Sequence, residues 1–172
     1  MIVVGLDLSL TSTGIAWLDL DDRNHGCATI HTEPDHADPM HGARLEIIKN
    51  SVWYAIRDAD HVVVEDLPNG AKGVAYTARV HAIVGWMLAR DRIPYTLVPP
   101  ATLKMFALGK GVGTKTEMTL AASRRLGYEG HSDDESDALW LAHLGAHLLG
   151  HPAVDLPATH LRALNKLAKV AA

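Results

Sequence analysis

Two short β-branched runs in this chain each end on an acid, and few folds accommodate that. Met1-Ile-Val-Val-Gly-Leu-Asp7 and His61-Val-Val-Val-Glu65 have the unbroken apolar character of strands covered on both faces. A carboxylate at the end of such a strand is costly unless it faces solvent or a cation. Further on, Asp134 and Asp137 open a helical segment, and a spacing of three puts them on one helix face. Four acids in this arrangement point to a divalent-metal site at a sheet edge. Taken singly, each has an ordinary role: Asp7 a turn residue, Glu65 a surface ion-pair partner, Asp134 a helix-start acid favoured by the macrodipole.

The 172 residues are 48% hydrophobic, which suits a domain with a sizeable core. Aromatics make up only 5%, so Val, Leu, Ile and Ala must fill that core. The single cysteine, Cys27, excludes an internal disulfide and a multi-cysteine zinc cluster. No apolar stretch approaches a membrane span and the N-terminus has no signal-peptide pattern, so a cytoplasmic protein without a membrane partner is expected. The net charge of −4 hides a local excess of the opposite sign. Between Ala101 and Tyr128, Lys104, Lys110, Lys115, Arg124 and Arg125 stand against Glu117 alone, and the tail carries Arg162, Lys166 and Lys169 without an acid. Such stretches, rather than the total, make the electrostatic footprint on phosphates. They also serve simply as solvated helix faces.

Periodicity predicts strands over 1–7, 13–20 and about 26–32, then a helix from Arg44 to near Arg57. Strand 61–65 follows, then a turn at Leu67-Pro-Asn-Gly70 and a helix over Val74–Arg90. A short strand covers Pro94–Val98, and Pro100 starts a helix ending at Leu108. Thr114 caps a helix over Lys115–Leu126, and Ser132 or Asp133 caps one running to about Leu149. Residues 1–150 are expected to form the main domain, with 151–172 a linker and a short basic helix or tail. The order implies an α/β fold: a mixed five-stranded sheet, three antiparallel strands and then parallel ones, with helices on both faces. That is the ribonuclease H-like arrangement. The helix 74–90, with Val80, Ile83, Val84, Met87 and Leu88 on one side and Gly85 permitting close approach, is a candidate dimer helix; packing on its own sheet would use the same stripe.

Two features suggest other chemistry and do not sustain it. Gly109–Thr116 resembles a phosphate-binding loop, but Thr114 stands where that motif needs glycine and no apolar strand leads into it. His143, His147 and His151 share a helical face, as zinc ligands do, yet leucines surround them and a packed or solvent-facing role is expected.

The blocks Gly5-Leu-Asp7-Leu-Ser-Leu-Thr-Ser-Thr-Gly14, Val63-Val-Glu65 and Asp134-Glu-Ser-Asp137-Ala-Leu, with Pro99-Pro-Ala-Thr-Leu-Lys104 and Gly109-Lys-Gly-Val-Gly-Thr-Lys115 between them, resemble the RuvC-type Holliday junction resolvases, particularly the shorter bacteriophage forms. The resemblance runs in order from residue 1 to about 149. It implies a magnesium-dependent, homodimeric endonuclease that cuts branched DNA, four-way junctions above all, in the host cytoplasm if phage-encoded. It also implies Asp7, Glu65, Asp134 and Asp137 as metal ligands and catalytic residues, with Lys115 beside them. The family's spacing selects Asp134, but Asp133 and Glu135 stand as alternatives for the third ligand. One departure is plain: Asp66-Leu-Pro-Asn-Gly70 lacks the aromatic that resembling enzymes place there to stack on crossover bases. Tyr76 is a candidate substitute, or a packed residue.

Phosphodiester hydrolysis needs an activated water and charge relief at phosphorus and the leaving 3′ oxygen, which two ions about 3.5–4 Å apart supply. Hard Mg²⁺ takes oxygen ligands, and Mn²⁺ is expected to substitute. Asp7 would bridge the two ions, Glu65 hold one, and Asp134 with Asp137 the other. Lys104, Lys110 and Lys115 are candidate phosphate contacts. Ser9, Thr11 and Ser12 either donate to phosphates or only shape their turn. Two other classes fit the residues less well. An ATPase of the actin and sugar-kinase type shares a loop like Gly5–Gly14 but needs two such lobes, more than 172 residues hold. A non-catalytic junction binder gains nothing from four repelling acids facing phosphates.

Overall fold

The computed structural model describes residues 1–67, 74–130 and 132–168. Five strands, β1 (Ile2–Asp7), β2 (Ser12–Asp19), β3 (Asn24–His31), β4 (His61–Glu65) and β5 (Tyr95–Val98), form one sheet in the order β3-β2-β1-β4-β5. β1 pairs antiparallel with β2 and β2 antiparallel with β3; β1–β4 and β4–β5 are parallel. The expected ribonuclease H-like sheet is therefore present. Residues 68–70 of the predicted turn lie outside the described residues, as does Lys169.

Strand alternation sorts the β-branched residues into two cores. Val4, Leu6, Ile15, Val62 and Val64 point to the layer made by α1 (Gly42–Ile56) and α2 (Val74–Asp91). Val3, Ala16, Val63 and Val98 point the other way, into the layer of α3 (Pro100–Leu108), α4 (Lys115–Leu126), α5 (Asp133–Leu148) and α6 (Ala158–Ala168). The helix starts follow the sequence: Pro100 opens α3, Thr114 and Glu117 form a reciprocal capping box on α4, and Ser132, not Asp133, caps α5.

α5 is the spine of the second layer. It runs across β1, β2 and β4 and is buried all round from Ala138 to Ala146, as expected of a helix covered on every side. Trp140 is fully buried, meets Phe106 edge to face at 5.9 Å and donates its indole N–H to the Met118 carbonyl at 3.2 Å. Such an aromatic pair adds about 0.5–1.5 kcal/mol beyond its burial. α6 docks on α3: Ala163 and Leu167 enter the core, and His160 Nδ1 donates to the Phe106 carbonyl at 2.7 Å.

The α2 stripe offered above as a dimer face turns inward. Val80, Val84, Met87 and Leu88 are buried against the sheet and α1. The outward side carries Ala82, Gly85 and Trp86, with Trp86 57% exposed and open space over Gly85.

His143 is buried on α5 with neither ring nitrogen hydrogen-bonded among the described residues. Burial, with His25 and His147 adding to it, pushes its pKa down to about 3, so the ring is neutral and unsatisfied. An unpaired buried polar group costs about 1–3 kcal/mol. His143→Leu is therefore expected to raise the melting temperature by several degrees, at roughly 2–4 °C per kcal/mol for this size; calorimetry showing a drop would mean the ring has a partner.

Candidate active site

The pairing of β1 with its neighbours assembles the site. Leu6 lies opposite Val64 in the parallel pair, so Asp7 and Glu65 leave adjacent strands at the same end. Asp7 also faces Gly14 across the antiparallel pair. Over Gly14 passes the first turn of α5: a Cβ built there would lie 2.0 Å from the Asp134 carbonyl oxygen. A bare backbone at this position lets the acids of α5 come down beside those of the sheet. Asp134 and Asp137 then share the helix face predicted from their spacing.

Burial, and after it the charge of neighbouring acids, raises the carboxyls of Asp7, Glu65 and Asp137. Burial pushes the Asp7 carboxyl up to about 6, with Asp134 adding to it. Burial also raises Asp137 to about 7, with Asp7 next in effect. Glu65 is driven up to about 9 by burial, then by Asp7 and Asp137, and shares a side-chain hydrogen bond with Asp7. Asp137 Oδ1 is buried without a hydrogen-bond partner among the described residues. An orphaned carboxylate oxygen among hard, repelling donors fits a bound cation. As placed, however, no three acid, histidine or cysteine side chains among the described residues close on a single point; the acids pair off, Asp7 with Glu65 and Asp134 with the Ser12 hydroxyl.

The lysines separate into two kinds. Lys115 Nζ lies 3.6 Å from Asp134 Oδ1 and 3.7 Å from Asp133 Oδ2. Burial pulls this ammonium down, but Asp134, Asp133, Asp7 and Asp137 outweigh it and leave the pKa above its usual value. Lys104 is near enough to lower Glu65. Lys110 instead pairs with Glu117 at 2.6 Å, away from the acids.

The hydroxyls of the β1–β2 turn are engaged within it. Ser9 Oγ accepts from the Thr11 and Ser12 amides, each at 3.2 Å, and Thr13 Oγ1 donates to the Ser9 carbonyl at 2.7 Å. Thr11 Oγ1 accepts from Arg44 at 3.3 Å, while Ser12 Oγ donates to Asp134. Arg44, which sequence reasoning missed as a site residue, is 6% exposed and also donates to the Leu10 and Thr32 carbonyls at 3.0 and 3.2 Å. Its guanidinium replaces water for carbonyls that the turn would otherwise leave unpaired. A basic residue at an apolar helix position was the signal that could have found it.

Among the three candidates at the start of α5, Glu135 turns away from the cluster. Its carboxylate accepts from Thr29 Oγ1 at 3.0 Å and from the Tyr128 hydroxyl at 2.8 Å. Asp133 Oδ1 accepts from Thr119 at 3.2 Å.

The raised carboxyl values fix a sign for stability without metal. A carboxyl that holds its proton in the folded chain above its ordinary value stabilises the fold at low pH and loses that contribution as pH rises through the folded value. From their ordinary values of 3.8 and 4.5, Asp137 and Glu65 shed this contribution progressively up to about pH 7 and about pH 9 respectively. His143 acts oppositely, but only below its ordinary 6.5. Between pH 6.5 and 8.5, in chelator, stability is expected to fall by about 1 kcal/mol per pH unit. Chelator melts that are flat or rising across this range would show that the acids do not repel.

No family model matches the chain. A crossover junction endodeoxyribonuclease RuvC from Prochlorococcus marinus (strain MIT 9211) is 29% identical over 150 residues, 83% of this chain and 93% of that protein. Thermus thermophilus RuvC superposes with a TM-score of 0.67 at 18% identity, covering 90% of this chain and 100% of the other. The same enzyme in complex with a Holliday junction substrate gives 0.67 at 21% identity, covering 90% and 99%. The fowlpox virus Holliday junction resolvase gives 0.54 at 10%, covering 87% and 99%. These structures share the fold, and the resemblance seen in the motif blocks holds in sequence and in architecture alike.

Proposed function

We propose that this RuvC-like chain is a structure-selective endonuclease that resolves Holliday junctions by symmetric nicks, using a divalent metal. One observation carries the reading: the ends of two adjacent parallel strands and the first turn of α5 gather Asp7, Glu65, Asp134 and Asp137, with an unpartnered oxygen on Asp137. Four half-buried acids are a poor resting arrangement for a protein, and an efficient one for cations. Asp7, Glu65, Asp134 and Asp137 would hold the Mg²⁺, two ions per site, and Mn²⁺ would substitute. Such ions, when bound, activate a water and neutralise the leaving 3′ oxygen.

The chain's own groups do the rest. Lys115, two-thirds exposed beside Asp134, holds a fixed positive charge where the scissile phosphate must approach. Lys104 supplies a second such charge on the Glu65 side. Lys110 is an outlying contact whose Glu117 partner must be exchanged for phosphate. Ser12 holds Asp134 and keeps it from swinging into solvent, and Ser9 and Thr11 keep the turn that presents Ser12.

A four-way junction has near two-fold symmetry, so a C₂ homodimer presents equivalent sites to equivalent strands. The outward side of α2, with Ala82, Gly85 and Trp86, is the face for it. An exposed Trp beside an open glycine permits close helix approach. Trp86→Glu is expected to give a monomer by sedimentation that nicks one strand without pairing the cuts; a dimer of unchanged strength would move the interface elsewhere. The function itself is tested by incubating the protein with a synthetic four-way junction and Mg²⁺. Paired, symmetry-related nicks support it, whereas ATP turnover without DNA cleavage would favour a nucleotide-hydrolysing lobe.

A further inference from the structure

We propose that Glu135 is a positioning residue: it bridges β3 to the loop before α5 and so sets the rotation of α5 that places Asp134 and Asp137. This rests on the metal-dependent nuclease reading and removes Glu135 from the candidate ligands.

The bridge is a closed cycle of hydrogen bonds. Ser132 Oγ accepts from the Glu135 amide at 3.3 Å, as the cap of α5. Thr29 Oγ1 lies 3.1 Å from Ser132 Oγ and 3.0 Å from Glu135 Oε1. A carboxylate only accepts, so Thr29 donates to Glu135, and its oxygen takes the Ser132 proton. Every hydroxyl proton in the cycle is then used in one direction, which strengthens each bond.

The other carboxylate oxygen closes a second link. Tyr128, 4% exposed, points its hydroxyl at Glu135 Oε2, 2.8 Å away, and accepts from the Ser132 amide at 3.1 Å. The Ser132 carbonyl competes for the same phenol proton at 3.0 Å, but the nearer, charged acceptor is the stronger. Both oxygens of Glu135 are thus occupied by neutral donors. Asp137 keeps a bare oxygen instead.

Helix geometry turns this bridge into control of the site. Successive residues are about 100° apart, so holding Glu135 against β3 turns Asp134 and Asp137 away from β3, toward β2 and β1. A rotation of roughly 10° moves a carboxylate about 6 Å from the helix axis by about 1 Å. Functional groups tolerate about 0.5 Å. Thr119 steadies the same turn from the far side through Asp133 Oδ1 and Ser136 Oγ, both at 3.2 Å.

The test measures Mn²⁺ affinity by electron paramagnetic resonance, without DNA, in the full chain. Glu135→Ala is expected to weaken Mn²⁺ binding about tenfold, the lower end for partners that orient ligands. Thr29→Val and Tyr128→Phe should each weaken it severalfold. Glu135→Gln should bind nearly as the wild type, because its amide oxygen accepts from Thr29 and its NH₂ donates to Tyr128. Junction binding in chelator should be unchanged in all four. If Glu135→Gln is as weak as Glu135→Ala while Thr29→Val and Tyr128→Phe match the wild type, Glu135 is a ligand and the proposal falls. It falls equally if folded Glu135→Ala binds Mn²⁺ as the wild type does. Should Glu135→Ala not fold, wild-type affinity in both Thr29→Val and Tyr128→Phe overturns it. A wild-type protein that binds no Mn²⁺ is a different failure, since it takes the metal-dependent reading down as well.

Discussion

Asp7→Asn is expected to lose junction cleavage by more than about a hundredfold while keeping junction binding, and to melt at a higher temperature than the wild type in chelator. The two effects have one cause. Asp7 is half-buried at the end of β1, with its carboxyl raised first by burial and then by Asp134. The amide removes a charge that repels Asp134, Asp137 and Glu65, and its NH₂ can donate to Glu65, so the metal-free fold gains. Several degrees is the expected scale, at about 2–4 °C per kcal/mol. On the proposed metal-dependent reading the same change also removes a ligand oxygen, and even residues that merely orient ligands cost 10–100-fold, so roughly a hundredfold is a floor. On that reading the surface lysines, not the acids, meet the phosphate backbone, so binding is expected to persist. Cleavage by the variant at the wild-type rate removes Asp7 from the chemistry. A lower melting point in chelator would mean that it is already compensated by something other than metal.

Gly5→Ala and Gly14→Ala should both be severe, and differently so. A Cβ at Gly5 would lie 2.0 Å from the Ala138 carbonyl oxygen and 2.7 Å from the Ala142 nitrogen. These are backbone atoms in the middle of the buried helix, so α5 must lift from the sheet along its length. Overpacking of a core usually costs 1–3 kcal/mol; with no side chain able to yield, about 3 kcal/mol or more is expected for Gly5→Ala. At Gly14 the clash is with the carbonyl oxygen and carbon of Asp134, at 2.0 and 2.4 Å, at the end of the helix. The first turn can tilt away there, so the stability loss is smaller and the loss of activity larger. A displacement of about 1 Å at a reacting centre costs on the order of a hundredfold. Thermal melts and single-turnover cutting of a junction separate the two. Gly14→Ala with full activity would show that the first turn of α5 does not have to touch β2.

Much of the fold was open to reading along the chain because its signals are local. Val-Val-Val before Glu65, the Thr114–Glu117 pair and Pro100 each act over a few residues, and strands and helices appear where they predicted. The α2 stripe was legible as a stripe but not as inward or outward, since hydrophobic periodicity names a face and not its partner. Trp86, on the outward side, carried no periodic signal at all.

For the site, the acids themselves were readable: type, position at strand ends, and i, i+3 spacing on a helix are properties of short segments. What only the tertiary structure decided is who stands beside whom. It paired Lys110 with Glu117, bent Glu135 to Thr29 and Tyr128, gave Ser12 to Asp134 and drew Arg44 under the turn. Each of these joins residues from different elements, up to 122 positions apart. The contacts of Ser12 and Glu135 depend on how closely α5 settles on β1 and β2, which two missing side chains, at Gly5 and Gly14, allow. Backbone pattern travels along a sequence; the distance between two packed surfaces does not.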